Sequence, residues 1–169
     1  MKSQNIKENE KENEKEKIQF CTFKISGHLF GVDILDVKEI IDEMKITKIY
    51  HAPDYMMGFI NIRGQVYLVL NLRILLNFES KNIDSSSRVI LFHAKVGESF
   101  GVLVDQIGHM VEVEKNRIEY RMNNEKTKTN NNEKIKKSIE TGVCKLNQGL
   151  MTILNSKQFL VLVNSKIQQ

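Results

Sequence analysis

Apolar and polar residues alternate with a period of two over most of the chain from Ile18 onward. This alternation is typical of β-strands that bury one face. The predicted strands are short and are separated by turns, at 18–25, 29–34, 58–62, 65–70, 90–94, 99–104, 111–113 and, as a pair, within 142–154. Only short helices are predicted, such as one after Asn71, with leucines at 72, 75 and 76. The pattern favours an all-β barrel or sandwich.

Two charged segments interrupt this pattern. Residues 1–17 are mostly Lys, Glu and Asn with almost no apolar side chain, so we expect a disordered tail followed by one folded domain over 18–169. Residues 121–138 carry six basic and two acidic residues, a net charge of +4, which equals the net charge of the whole chain. The basic character therefore comes from one enlarged, Asn-rich loop rather than from a stripe across the folded part.

The chain contains an internal repeat. Residues 30–41 (FGVDILDVKEII) match residues 100–111 (FGVLVDQIGHMV) at an offset of 70, and residues 58–71 match residues 142–155 at an offset of 84. The second half therefore holds about 14 additional residues, in the region of the basic loop. We expect two similar small β units, the first about 30–78 and the second about 88–155, completed by the linkers and terminal segments. Each is too small for a core of its own, so we expect them to pack together.

The sequence offers few residues for catalysis or metal binding. Its four histidines lie in separate segments, and neither Cys21 nor Cys144 has a CxxC partner. No nucleophile elbow, phosphate loop or dinucleotide motif is present. We therefore predict no enzymatic activity, no cofactor, no metal and no small-molecule substrate.

Several features favour a cytoplasmic location. Two cysteines do not make a disulfide framework. The longest apolar runs have five residues, whereas a membrane-spanning helix needs roughly 20. The N-terminal residues lack the apolar stretch of a secretory signal. We expect a protein of the reducing cytoplasm.

Since we predict neither catalysis nor metal binding, we expect the function to be the binding of another macromolecule. A small β barrel binds single-stranded nucleic acid through a basic groove and exposed aromatic residues. Here aromatic residues make up only 7%, and most of them fall on predicted core positions, including Phe23, Phe30, Phe92 and Phe100. A protein-binding module fits better, because short strands with exposed edges bind partners by strand addition or through grooves.

Four stretches of the chain, in this order, resemble the CheW family of bacterial chemotaxis coupling proteins. They are FGVDILDVKEII (30–41), GFINIRGQVYLVLNLR (58–73), FGVLVDQI (100–107) and GVCKLNQGLMTIL (142–154). The most specific is GFINIRG, followed by a strand and Asn-Leu-Arg at 71–73, which is similar to the family's G-v-i-N-l-R-G … D-L-R signature. The chain departs from the family at Asn71, where the family has Asp, and at 48–50, where a Pro is usual and this chain has Lys-Ile-Tyr.

The resemblance implies a non-enzymatic adaptor built from two small five-stranded SH3-like β-barrel subdomains on a shared hydrophobic core, with short helices. Such an adaptor links the regulatory domain of the histidine kinase CheA to the cytoplasmic tip of chemoreceptors, whose helical hairpin lies along a groove. It meets the membrane only through the receptor array. Carried over, the partner-binding residues are Val37, Glu39 and Arg63, while Gly58 and Gly64 shape the turn at that surface. A scaffold for another two-component kinase is the alternative within this fold.

Overall fold

The structure is a computed structural model in which residues 16–121 and 138–167 are described. The strands in these ranges are β1 (Lys17–Ile25), β2 (His28–Asp33), β3 (Val37–Ile41), β4 (Met56–Ile62), β5 (Gln65–Asn71), β6 (Arg88–Phe92), β7 (Phe100–Val104), β8 (Gln106–Ile107), β9 (Val111–Glu114), β10 (Ile118–Tyr120), β11 (Glu140–Leu146) and β12 (Gly149–Leu154). The helices that lie wholly within these ranges are α1 (Leu72–Leu75) and α2 (Lys157–Ile167), with 3-10 turns at Ile34–Asp36 and Lys115–Arg117.

The strands form two sheets. One has five strands in the order β3-β6-β7-β5-β4, and the other has seven, in the order β10-β11-β12-β2-β1-β8 with β9 also paired to β1. Most pairs are antiparallel, but β2 runs parallel to β12 and β7 runs parallel to β5. The prediction of a mostly β fold with short strands is confirmed. Among the described residues, however, neither sheet closes into a barrel.

The internal repeat is present in the strand register. Phe30 lies opposite Thr152 in the parallel pair of β2 and β12, and Phe100 lies opposite Leu68 in the pair of β7 and β5. The offset of 70 relates Phe30 to Phe100, and the offset of 84 relates Leu68 to Thr152, so the two pairings are equivalent. Each Phe-Gly-Val strand therefore pairs with the hairpin of the other half of the chain. As a result, the limits of the two sheets do not coincide with the predicted unit limits.

The seven-stranded sheet has two strands more than the five predicted for each unit, and the repeat explains both. The place of β3 is taken by two short strands, β8 and β9, which residues 108–110 separate. Gly108 lies so close to β1 that a Cβ on it would be 2.4 Å from Thr22 Oγ1. In the five-stranded sheet, a single bridge joins Thr47 to Phe59 of β4. At the equivalent place in the seven-stranded sheet, the full strand β10 pairs with β11, and Glu119 lies opposite Val143. The two sheets are therefore variants of one plan.

The largest hydrophobic cluster lies between the sheets and includes the four predicted core aromatics together with Phe159 of α2. A second cluster lies on the other face of the five-stranded sheet, because Tyr67 and Val69 of β5 point away from Leu68 and Leu70. A third cluster belongs to the seven-stranded sheet and contains Cys144. The shared core is thus the layer that joins the two halves.

The first strand begins at the edge of the predicted charged tail. The sequence predicts a charged tail as far as residue 17, but β1 begins at Lys17, and Glu16 forms an ion pair with Lys115 at 2.8 Å. Pairing with β9 draws these residues into the sheet. Residues 1–15 of the tail and 122–137 of the basic loop lie outside the described residues.

Candidate partner-binding site

The hairpin between β4 and β5 has a two-residue turn formed by Arg63 and Gly64. Their φ angles are +50° and +87°, as in a type I′ turn, whose twist matches that of the flanking strands. The Asn61 side-chain oxygen accepts a hydrogen bond from the Gly64 backbone N–H at 2.9 Å. This turn holds the Arg63 side chain at the tip of the hairpin, where it is 79% exposed.

Arg63 and Glu39, both predicted as partner-binding residues, lie in direct contact. The guanidinium donates two hydrogen bonds to the carboxylate, from Nη1 to Oε2 at 3.1 Å and from Nη2 to Oε1 at 3.0 Å. Such a fork fixes the orientation of both groups. An exposed ion pair contributes only about 0–1 kcal/mol to stability, so its main effect is on the shape and charge of the surface.

A second polar contact joins β3 to the same hairpin. Lys38 Nζ lies 3.2 Å from Gln65 Oε1, which also accepts a hydrogen bond from the Tyr67 hydroxyl at 2.7 Å. Gln65 in turn donates to Ser99 Oγ at 2.8 Å. Since β3 and β5 are not neighbours in the five-stranded sheet, these side chains connect two strands that no backbone ladder joins. We call Lys38, Glu39, Arg63 and Gln65 the ion-pair surface. Lys38 and Gln65 escape prediction, because each is unremarkable as a single polar residue in a strand.

The other two predicted site residues, apart from Gly64, lie within strands β3 and β4. Val37 is half-buried and packs against the shared core, opposite Phe92 of β6. Gly58, expected to shape the turn, is instead buried at a β-bulge within β4. Its φ is +136°, and a Cβ there would lie 2.1 Å from the carbonyl oxygen of Thr47. Gly58 thereby lets Thr47 bridge to Phe59 through two backbone hydrogen bonds of 2.8 Å.

An open groove of about 930 Å³ lies beside the same hairpin. Its floor is the face of β4 and β5 that carries Phe59 and Val66, which are 42% and 53% exposed. Its wall is a stripe of α2 with the helical spacing i, i+3, i+4 and i+7, formed by Leu160, Val163, Asn164 and Ile167. We call this feature the helix groove. Its wall was not predicted from the sequence, because α2 was not.

The described residues hold little reactive chemistry. They contain no group of three or more His, Cys, Asp or Glu side chains placed to hold a metal ion. Burial raises the pKa of the Cys21 thiol and also that of the Cys144 thiol, where it outweighs the opposing effect of Arg117. No helix within 16–121 or 138–167 is long and apolar enough to cross a membrane.

Comparisons with known proteins place this geometry in a family. The family model described as CheW-like domain matches residues 19–163. Chemotaxis protein CheW of Helicobacter pylori is 26% identical over 147 residues, which cover 86% of this chain and 82% of the relative. Chemotaxis protein CheW of Bacillus subtilis is 30% identical over 97 residues, which cover 57% of this chain and 62% of the relative.

A solved structure has the same fold. The crystal structure of the scaffolding protein TtCheW from Thermoanaerobacter tengcongensis matches with a TM-score of 0.69 and 24% identity, over 82% of this chain and 89% of that chain. The family model, the relatives and this structure together indicate a scaffold protein of the chemotaxis machinery. Because the family model spans most of the chain, the protein belongs to the CheW-like family of chemotaxis coupling proteins.

Proposed function

We propose that this protein is a non-enzymatic cytoplasmic adaptor that couples chemoreceptors to the regulatory domain of CheA. Family membership supports chemotaxis scaffolding as the general role. The proposal that the protein couples two partners is supported by one observation. The β4–β5 hairpin bears two separate surfaces, one polar at its tip and one apolar on its face. An adaptor needs two such surfaces, because it must bind two partners at once.

The helix groove suits a helical partner. Phe159 and Leu162 of α2 are buried in the shared core, so a helix already packs beside this sheet face. A second helix lying next to α2, at the usual 8–10 Å between helix axes, covers the exposed Phe59 and Val66. This is the helix-in-groove mode of recognition. We assign the groove to the helical hairpin of the receptor tip.

The ion-pair surface suits a folded domain with complementary charges. Polar rim contacts of this kind set specificity and association rate more than affinity. Arg63 can also share its guanidinium with a partner carboxylate, since its side chain is far more exposed than that of Glu39, 79% against 30%. We assign this surface to the CheA regulatory domain.

Two single substitutions separate the two surfaces. We expect Val66→Asp to weaken binding to chemoreceptor-containing membranes at least tenfold, because it places a charge in the apolar groove. Arg63→Glu should weaken binding of the purified CheA regulatory domain and leave receptor binding nearly unchanged. Co-sedimentation with receptor membranes and titration with the kinase domain measure the two affinities.

The control for the groove is Val161→Asp, since Val161 is 57% exposed on α2 but does not line the groove. The control for the tip is Glu39→Arg combined with Arg63→Glu, which keeps an ion pair of reversed direction. Wild-type affinity of both single variants for both partners would contradict the proposal. Loss of folding in Arg63→Glu, seen by circular dichroism, would make that residue structural.

A further inference from the structure

A single carboxylate stands at the rim of the helix groove. Among the described residues that line the groove, Glu98 is the only charged one, and the polar remainder is Ser99 and Asn164. Glu98 is exposed, and its side chain has no hydrogen-bond or ion-pair partner within the described part of the chain. It is therefore the one lining side chain that can distinguish partners by their charge.

The backbone around Glu98 is held on both sides. Gly97 lies so close to α2 that a Cβ on it would be 2.5 Å from Leu160 Cδ1. Ser99 is bound to β5, since its carbonyl oxygen accepts from the Leu68 N–H at 3.0 Å and its hydroxyl oxygen accepts from Gln65. Glu98 thus sits between the wall and the floor of the groove, and little backbone ordering remains to oppose binding.

Two lysines close in sequence to groove-lining residues have other partners. Lys95, in the same β6–β7 turn, forms an ion pair with Asp36 at 3.4 Å. Lys166, on α2, lies 5.7 Å from the centre of the Tyr55 ring. A docked helix that covers the groove removes water from around Glu98, which penalises an acidic neighbour and favours a basic one.

We propose that Glu98 makes the helix groove selective for amphipathic helices that carry Lys or Arg beside their apolar stripe. This inference rests on the proposed function of the groove as a helix site. It adds the chemistry of the preferred helix, which has apolar residues at i, i+4 and i+7 and a cation one position from that stripe.

The test uses the full chain and two fluorescein-labelled helical peptides with the same apolar stripe, one flanked by Lys and the other by Glu. Fluorescence anisotropy gives their affinities at low and high salt. The wild type should bind the Lys peptide about fivefold more tightly at low salt, the upper range for a partly exposed ion pair. Glu98→Gln should remove most of this preference, and Glu98→Lys should reverse it.

Glu43→Gln is the matched control, because Glu43 is exposed and lies outside the groove. Val66→Asp should weaken both peptides, which shows that they occupy the groove. If the ratio of affinities for the Lys and Glu peptides is the same in the wild type and in Glu98→Gln, Glu98 does not set the selectivity. The helix groove would then still be a helix-binding site. If neither peptide binds the wild type, the groove is not a helix site and both proposals fall.

Discussion

At the scale of single residues, two glycines that both have a positive φ differ in their surroundings. A Cβ at Gly64 would meet no atom within 4 Å, whereas the Cβ of an alanine at 58 would collide with the Thr47 backbone. We expect Gly64→Ala to lower the free energy of unfolding by about 1 kcal/mol, the cost of a left-handed conformation. Gly58→Ala should cost several times more, about 3 kcal/mol or above, since the bridge to Thr47 must move.

Urea unfolding of both variants measures the two losses, and each glycine serves as the control for the other. Equal losses would show that the close approach of Thr47 to Gly58 does not constrain the fold. A wild-type midpoint for Gly64→Ala would show that the turn adopts another conformation in solution.

The residue scale also shows what the sequence could indicate. Glu39 and Arg63 were predicted as site residues from a family motif, and the Arg-Gly dipeptide between two alternating segments predicted the turn. Their ion pair was not predictable, because the residues are 24 positions apart and meet only when β3 comes to lie beside the β4–β5 turn. Gly58 could not be distinguished from a turn glycine, since the bulge depends on its contact with Thr47.

At the scale of elements, α2 is the main feature that sequence reasoning missed. Its core is the uninterrupted apolar run FLVLV at 159–163, and such a run does not by itself distinguish a buried strand from a helix. The internal repeat contained a signal for the start of α2. Asn71, which caps α1 by accepting from the Arg73 N–H at 3.1 Å, corresponds to Asn155, which accepts from the Lys157 N–H at the same distance.

This correspondence gives a prediction for the groove wall. Asn155→Ala removes the side-chain acceptor at the start of α2 and should lower the free energy of unfolding by about 1 kcal/mol. Chemical denaturation followed by circular dichroism measures the loss, with the exposed turn residue Asn147→Ala as the control. A loss no greater than that of Asn147→Ala would mean that packing of Phe159 and Leu162 alone fixes the helix.

At the scale of the whole molecule, the sequence predicted two related units but not how their strands are exchanged. The repeat records local similarity, whereas the pairing of β2 with β12 and of β7 with β5 is a long-range choice made by the shared core. Because each half of the chain supplies strands to the sheet of the other half, neither half has a complete sheet alone. The tail and the basic loop add length outside the described residues.

The exchange predicts that neither half folds alone. A cut in the exposed linker at Ser85 gives one fragment without β6 and β7 and another without β1 and β2. We expect each fragment to lack cooperative unfolding and an equimolar mixture to recover it, because the missing strands carry much of the core. Thermal scans of the fragments and of the mixture check this. A cooperative transition in either fragment alone would contradict the exchanged arrangement.

The proposed adaptor must join a receptor to a kinase through this one chain. The most direct measurement is co-sedimentation of the CheA regulatory domain with chemoreceptor-containing membranes, with and without the protein, in roughly 0.3 M salt, which screens non-specific charge attraction. We expect the kinase domain to sediment only when the protein is present, and Val66→Asp or Arg63→Glu to abolish this recruitment. Sedimentation of the kinase domain that is unchanged by adding the protein would contradict the claim.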